Sequence, residues 1–114
     1  MKIFIVCPVR KISDLLKSTI EAKILELENA GYLVYYPARD TEQNDPTGYS
    51  ICATNREAIR DADEILIAWD GSSEGVLFDI GMAFMMGKAI KIIEPFPPKT
   101  EGKSFASMIR EWAR

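Results

Sequence analysis

The segment 70–79 combines a turn of small residues with a carboxylate on the helix that follows. Four small residues form the turn: Gly71, Ser72, Ser73 and Gly75. The backbone N–H groups that open a helix have no partner within the helix, and they bind phosphate or another anion favourably. This segment therefore predicts an anion-binding site at the start of a helix. The alternative is an ordinary connecting turn, because the segment matches neither a Walker nor a dinucleotide-binding motif.

Asp79 lies on a helix that is apolar on nearly every side. Its apolar neighbours are Val76, Leu77, Phe78, Ile80, Met82, Phe84 and Met85. We expect this helix to be buried against the sheet or against a partner subunit. A carboxylate buried there must be paired, hydrogen-bonded or protonated, since burying it bare costs several kcal/mol. Beside an anion site, such a carboxylate is a candidate nucleophile. The alternative is a structural cap or an ion pair with Arg10 or Arg56.

Two other polar side chains are candidates for contacts with a ligand. Asn55 falls on the inward stripe of a predicted helix, four residues after Ile51. It can hydrogen-bond a ligand, but a buried Asn more often ties down a neighbouring loop. Arg10 follows the first predicted strand and can bind an anion through two parallel N–H groups. Alternatively, Arg10 is an ordinary exposed arginine without a ligand contact.

Composition excludes several classes of chemistry and of partner. The 114 residues include no histidine and two cysteines, so Ser-His-Asp and Cys-His arrangements are absent and a zinc site would lack most of its usual ligands. The 14 basic and 17 acidic residues give a net charge of −3 with no basic face for nucleic acid. Nothing resembles a signal peptide or approaches the roughly 18 apolar residues of a membrane span. We expect a cytoplasmic protein with no membrane or nucleic-acid partner.

The elements that must position these residues alternate between strands and helices. Strands are predicted over 2–7, 32–36, 64–69 and 89–94, and helices over 13–30, 50–61, 76–86 and 104–113. The strands are continuous apolar runs, which is typical of a parallel sheet covered on both faces. We predict a single domain over 1–114, a small doubly wound α/β fold (flavodoxin-like or Rossmann-like) with four to five strands in the order 2-1-3-4.

In such a sheet the ligand binds beyond the carboxyl ends of the strands, near the point where strand order reverses. That rule selects three segments as walls of a site: 7–11, 37–48 and 70–79. The second is a polar, turn-forming loop of a length that is more often found at binding sites than in simple connections.

The stretch 63–88 contains an Asp, an apolar strand, the helical stretch SEGVLFDIG and a Gly-Lys turn. With this combination it resembles the nucleoside 2-deoxyribosyltransferase superfamily. This pattern is similar above all to the hydrolase branch, the 2′-deoxynucleoside 5′-phosphate N-hydrolases. IVCPVRK at the start and FASMIREW near the end are also similar to segments of that branch. The resemblance covers most of the chain and identifies 1–114 as a nucleoside deoxyribosyltransferase-like domain.

The resemblance implies cleavage or transfer of the N-glycosidic bond of a (deoxy)nucleoside 5′-monophosphate, without a cofactor or metal. By position, Asp79 would be the nucleophile that attacks the anomeric carbon. The 5′-phosphate would be held by Ser73, Gly75 and Val76, with Arg10 as a further contact. In the homodimer that the resemblance implies, the segment near Ser107 would approach the site of the neighbouring subunit.

Three positions depart from the family pattern. Asp79 stands where the family has Glu, and a side chain shorter by one methylene retracts the carboxylate by about 1 Å, which can cost on the order of a hundredfold in rate. Asn55 stands where the family often has an Asp that assists proton transfer, and Pro8 where the hydrolase branch has a phosphate-binding Ser. Two other hypotheses for the function remain. One is a catalytically silent nucleotide-binding or sensing module, and the other is a structural dimer whose Met-rich helix is an interface.

Overall fold

The computed structural model describes residues 1–114 and contains four strands and five helices. The strands are β1 (Lys2–Val6), β2 (Leu33–Tyr35), β3 (Glu64–Ile67) and β4 (Ala89–Ile92). The helices are α1 (Asp14–Asn29), α2 (Pro37–Asp40), α3 (Tyr49–Asp61), α4 (Glu74–Met85) and α5 (Phe105–Trp112). Every predicted element is present, with slightly shorter strands. The single turn α2 was not predicted; it begins at a proline, whose fixed φ suits the first position of a helix.

The sheet has the predicted α/β topology. All neighbouring strands are parallel, and their order is β2-β1-β3-β4. Phe4 in the inner strand β1 pairs with Tyr35 of β2 on one side and with Ile65 of β3 on the other. Because the strand order reverses between β1 and β3, the loops after these two strands diverge and leave a crevice at the carboxyl edge.

Helices cover both faces of the sheet, as predicted. Alternate residues of β1 point to opposite faces. Ile3 and Ile5 belong to a core cluster under α1, whereas Phe4 and Val6 belong to one formed with α3, α4 and α5. The chain therefore has two apolar layers that fix the sheet between α1 and the other three long helices.

Side-chain hydrogen bonds define one end of α1 and one end of α3. Ser13 caps α1, because its Oγ accepts a hydrogen bond from the Leu16 amide at 3.1 Å. At the far end of α3, the Lys88 ammonium donates to the carbonyls of Arg60 and Ala62, both at 2.7 Å. This lysine joins the end of α3 to the start of β4.

A helix that crosses a bilayer needs about 20 apolar residues, and none of the five helices meets that requirement.

Candidate active site

A cleft of about 360 Å³ lies at the carboxyl edge of the sheet, beside the ends of β1 and β3. Its walls come from the loop after β1, the loop between α2 and α3, the first turns of α3 and the start of α4. Six of the seven residues singled out from the sequence line this cleft: Arg10, Asn55, Ser73, Gly75, Val76 and Asp79. The structure brings together side chains that are up to 69 positions apart in the chain. The seventh residue, Ser107, lies outside the cleft.

The Asp79 carboxylate faces the cleft without a partner from the protein. Its helix turns Val76, Ile80 and Ala83 into the core, and Asp79 itself is 9% exposed. It takes part in none of the side-chain hydrogen bonds or ion pairs of the chain; Arg56 instead lies 3.9 Å from Glu57. Burial raises the pKa of Asp79 to about 7. The carboxylate is therefore poised between its neutral and charged forms near neutral pH.

The start of α4 presents free backbone donors to the same cleft. Ser73 is the N-cap residue of α4, and its hydroxyl makes no capping hydrogen bond. The amides of Glu74, Gly75 and Val76 open the helix and donate to no acceptor elsewhere in the chain. Unpartnered amides together with the positive end of the helix dipole favour an anion at this point.

The turn before α4 is held by a carboxylate of its own. One oxygen of Asp70, Oδ1, accepts hydrogen bonds from the amides of Ser72 and Ser73, both at 2.9 Å. Partial burial opposes ionisation of Asp70, but these hydrogen bonds outweigh it, so its pKa lies below the ordinary value. Asp70 therefore uses the two amides before the helix, and those of the first helical turn remain for a ligand.

Arg10 supplies a free positive charge to the cleft. It is exposed on the loop after β1, and no acidic side chain pairs with it. The residue two positions earlier, Pro8, is buried and has no N–H group. The guanidinium is thus the cationic group that the β1 loop offers to an anion held at the start of α4.

Asn55 joins the cleft to the segment that follows α2. Its Oδ1 accepts a hydrogen bond from the Thr41 hydroxyl at 2.8 Å, and the Tyr35 hydroxyl lies 2.7 Å from the same Thr41 oxygen. Asn55 thus ties down a neighbouring loop. Its Nδ2 has no protein partner, and no side-chain nitrogen or oxygen of the chain is both fully buried and unpartnered. Because Asn55 lines the cleft, its amide nitrogen is available there as a hydrogen-bond donor for a ligand.

The sequence did not single out several other residues that line the cleft. The most polar is Gln43, whose Nε2 donates to the carbonyls of Pro37 at 3.0 Å and Thr41 at 3.2 Å. This arrangement leaves the Oε1 acceptor of Gln43 available. The polar loop 37–48 was recognised as a wall of the site, but its pattern does not indicate which residue turns inward.

The two cysteines also line the cleft. Burial, followed by the charge of Asp79, raises the pKa of Cys7 to about 12. The same two effects raise the pKa of Cys52. Both thiols are free and stay neutral at ordinary pH, so they form walls of the cleft rather than nucleophiles.

Ser107 belongs to a different surface. It lies on α5, where its amide donates to Ser104 Oγ at 3.0 Å and its Oγ accepts from the Thr100 amide at 2.9 Å. It lines a groove along α5 together with Lys99, Lys103 and Arg114.

Nowhere in the chain do three or more His, Cys, Asp or Glu side chains form a group that could hold a metal ion.

Fold and cleft together define a class of protein: a small parallel α/β domain with a free helix start beside a buried carboxylate. Two solved structures are similar to it. One is the CMP N-glycosidase BcmB of Clostridium botulinum, with a TM-score of 0.62 and 25% identity over 81% of this chain and 70% of that chain. The other is a 2-deoxyribosyltransferase from Bacillus psychrosaccharolyticus, with a TM-score of 0.61 and 20% identity over 81% and 71% of the two chains.

No family model matches the sequence, and a search of curated proteins gives no significant match. The 2-deoxyribosyltransferase shares the fold of this chain. The similarity to the CMP N-glycosidase supports the nucleoside 2-deoxyribosyltransferase superfamily that the SEGVLFDIG motif predicted, and with it a general nucleoside-processing function.

Proposed function

We propose that this protein cleaves the N-glycosidic bond of a nucleoside 5′-monophosphate, with Asp79 as the nucleophile. The observation that carries the proposal is a buried carboxylate without a protein partner, facing the same cleft as the free amides of α4 and the unpaired Arg10. A carboxylate and an anion-binding helix start are the two groups that this reaction needs. The similarity to a CMP N-glycosidase also supports a monophosphate substrate.

The spacing along α4 suits such a substrate. Gly75 and Val76 precede Asp79 by four and three residues, so all three lie on one face of the helix. One turn, about 5.4 Å of helix, separates the amides from the carboxylate. A phosphate held at the amides by Ser73 and Arg10 would place the sugar of its own nucleotide beside Asp79.

The proposed reaction has two steps. An oxygen of Asp79 bonds to the anomeric carbon as the C–N bond breaks, and the base leaves with the electron pair of that bond. Water then attacks the same carbon and breaks the glycosyl ester, which restores the carboxylate. The hydroxyl of the water stays on the sugar phosphate and its proton goes to the base. A second base in place of water would make the reaction a transfer.

A second function is favoured by specific features of the same cleft. Asp79 is shorter than the family's Glu, its pKa near 7 leaves much of it protonated at neutral pH, and Asn55 cannot transfer a proton. These features weaken catalysis more than binding. A nucleotide-binding or sensing module that has lost the chemistry is therefore the alternative.

Release of the base distinguishes the two functions. Purified protein is incubated with a panel of nucleosides and their 5′-monophosphates, beside Asp79→Asn and Asp79→Glu, and free base is followed by chromatography. We expect release from monophosphates, loss of at least a hundredfold in Asp79→Asn, and equal or faster release in Asp79→Glu. Turnover that survives in Asp79→Asn contradicts the nucleophile. Thermal stabilisation by monophosphates without any base release would instead support the binding module.

We also propose that the protein acts in the cytoplasm as a homodimer whose subunits complete each other's clefts. The outer face of α4 carries exposed Phe78, Phe84 and Met85, and Phe78 also lines the cleft. A second copy placed on this face would lie at the mouth of the cleft. Ser107, which lies outside the cleft of its own subunit, would then be available to that of its partner.

A further inference from the structure

Trp69 is buried directly before the turn that leads to α4. Its indole Nε1 donates a hydrogen bond to the carbonyl of Ser73 at 3.2 Å, and the residue is 6% exposed. Neither the motif nor the proposed chemistry uses this side chain. The bond nevertheless ends on Ser73, the residue that begins the free turn of α4.

This bond replaces one that the other long helices make within their own backbone. In α1, α3 and α5 the carbonyl of the N-cap residue accepts from the amide four residues later, at 3.0, 3.0 and 2.9 Å. In α4 the Leu77 amide makes no hydrogen bond of this geometry with the Ser73 carbonyl. The indole N–H supplies that carbonyl with a donor instead.

Ser73 is consequently held from both sides by side chains rather than by the helix. Its amide donates to Asp70 Oδ1 at 2.9 Å, and its carbonyl accepts from Trp69. The orientation of this residue determines where its hydroxyl and the next amides point. The loss of either contact would let the first turn of α4 close on itself or change direction.

The indole is itself fixed by the C-terminal part of the chain. The rings of Trp69 and Phe96 are 6.1 Å apart and tilted by 54°. The Arg110 guanidinium lies 5.3 Å from the centre of the Phe96 ring and donates to the carbonyls of Phe96 at 3.0 Å and Pro97 at 2.9 Å. These contacts leave the Trp69 N–H little freedom to move away from Ser73.

We propose that Trp69 is a positioning residue for the phosphate end of the cleft. Its N–H holds Ser73 so that the first amides of α4 stay open to a 5′-phosphate, which sets the preference for monophosphates over unphosphorylated nucleosides. The inference rests on the proposed function, since it assumes that the phosphate binds at the start of α4. It identifies Trp69 as a residue that determines phosphate recognition although it does not contact the phosphate.

Trp112 offers a matched control, because the chain contains two tryptophans and both make the same kind of bond. Trp112 Nε1 donates to the Lys88 carbonyl, also at 3.2 Å, beyond the other end of α4. Trp69→Phe and Trp112→Phe each remove one indole N–H and keep an aromatic ring. Dissociation constants are measured by calorimetry for cytidine 5′-monophosphate, cytidine and inorganic phosphate with both variants and the wild type.

In Trp69→Phe we expect about five- to tenfold weaker binding of the monophosphate and of phosphate, with cytidine within twofold of wild type. Where base release is measurable, KM for the monophosphate rises and kcat changes little. Trp112→Phe should leave all three ligands within twofold. Equal weakening of cytidine and its monophosphate in Trp69→Phe, or no weakening of either, overturns the inference.

A measurement on the unmodified protein covers the case in which Trp69→Phe does not fold. The two indole N–H resonances are followed by NMR during titration with phosphate, and Trp112→Phe assigns them. We expect the Trp69 signal to shift and the Trp112 signal to stay. A fixed Trp69 signal in a protein that binds monophosphate overturns the inference alone. A wild type that binds cytidine and its monophosphate equally rejects the proposed phosphate site and the role of Trp69 with it.

Discussion

Burial of the Asp79 carboxylate lowers the stability of the fold and raises the reactivity of the carboxylate. The carboxylate is buried and has no donor or cation beside it, so the folded protein holds it against a desolvation penalty. The same burial makes the charged form reactive toward an electrophilic carbon, because few groups solvate it. Buried titratable groups with shifted pKa values are typical of functional sites.

Because the charged form of Asp79 is buried without a partner, we predict that replacing it with a neutral residue stabilises the fold above neutral pH. Folding raises the pKa of Asp79 from 3.8 to about 7, so the folded state binds this proton more tightly than the unfolded state does. Stability from this group is therefore lost as pH rises from about 4 to about 7. Asp79→Asn, which stays neutral, should exceed the wild type at pH 8 by a few kcal/mol in free energy of unfolding. The difference should shrink as pH falls toward 4.

Asp70→Asn provides a control of opposite sign for the same measurement. Hydrogen bonds from the amides of Ser72 and Ser73 lower the pKa of Asp70, so its contribution to stability is present above pH 4 and lost at more acid pH. Urea unfolding at pH 2.5, 4, 6 and 8 should therefore show Asp70→Asn less stable than the wild type from pH 8 down to pH 4, with the difference shrinking below pH 4. A wild type that is more stable than Asp79→Asn at pH 8 would contradict an uncompensated buried carboxylate.

Residue-scale reasoning from the sequence found Asp79 because a lone acid on an apolar helix conflicts with its surroundings. It did not show that the carboxylate lacks a partner. Arg10 and Arg56 were possible partners, and only the packed chain shows that neither pairs with it. Gln43 was likewise missed, and the hydrogen bond from Trp69 to Ser73 was not predicted, because both depend on backbone carbonyls that no local pattern reveals.

At the scale of elements, one hydrogen-bonded link attaches the loop after α2 to α3. The Thr41 hydroxyl bridges Asn55 on α3 and Tyr35 at the end of β2, at 2.8 and 2.7 Å. Thr41 and Asn55 are both buried. The link fixes the wall of the cleft that carries Gln43 and directs the Asn55 amide nitrogen toward the cleft.

Thr41→Val removes this link while keeping the shape of the side chain. Because the Asn55 carbonyl oxygen would then lack its partner, we expect the variant to lose about 1–3 kcal/mol in free energy of unfolding. Thr54→Val is the matched control, since Thr54 is exposed on the same helix and should change stability by less than about 0.5 kcal/mol. Urea denaturation of both variants checks the prediction. Equal stability of the two would show that the link contributes nothing.

The long elements were predictable because each carries a complete local signal. Ser13 and Gly31 delimit α1, and its buried residues Leu16, Ile20 and Ile24 recur at helical spacing. The single turn α2 carries too few residues for such a periodicity. Its attachment to α3 joins positions 14 apart through side-chain hydrogen bonds, and contacts of that kind leave no trace in hydrophobic patterning.

At the scale of the whole molecule, topology explains why the site could be placed before its geometry was known. The alternation of strands and helices requires right-handed crossovers, and the order β2-β1-β3-β4 puts the reversal between β1 and β3. The cleft lies at that reversal. Which surfaces meet a second subunit does not follow from topology, because an apolar helix face can be satisfied by the core or by a partner.

The exposed face of α4 predicts a homodimer that one charged substitution should disrupt. Met85 is 87% exposed and Phe84 59% exposed on this face. Burying a charge there without a partner costs several kcal/mol, so Met85→Glu should convert a dimer into a monomer of 12.8 kDa. Leu25→Glu on α1, where Leu25 is 61% exposed, should leave the dimer intact. Analytical ultracentrifugation measures both, and a monomeric wild type contradicts the prediction.

If the dimer completes each cleft with Ser107 of the partner subunit, two inactive variants should restore each other. Asp79→Asn lacks the nucleophile in its own cleft, and Ser107→Glu would repel the phosphate in the cleft of its partner. A mixed dimer then contains one cleft with Asp79 intact that faces an unchanged Ser107. Random assembly of equal amounts makes half of the dimers mixed, so base release should recover to about one quarter of the wild-type rate. If the mixture is no more active than its components, Ser107 acts only within α5, where it already bonds Ser104 and Thr100.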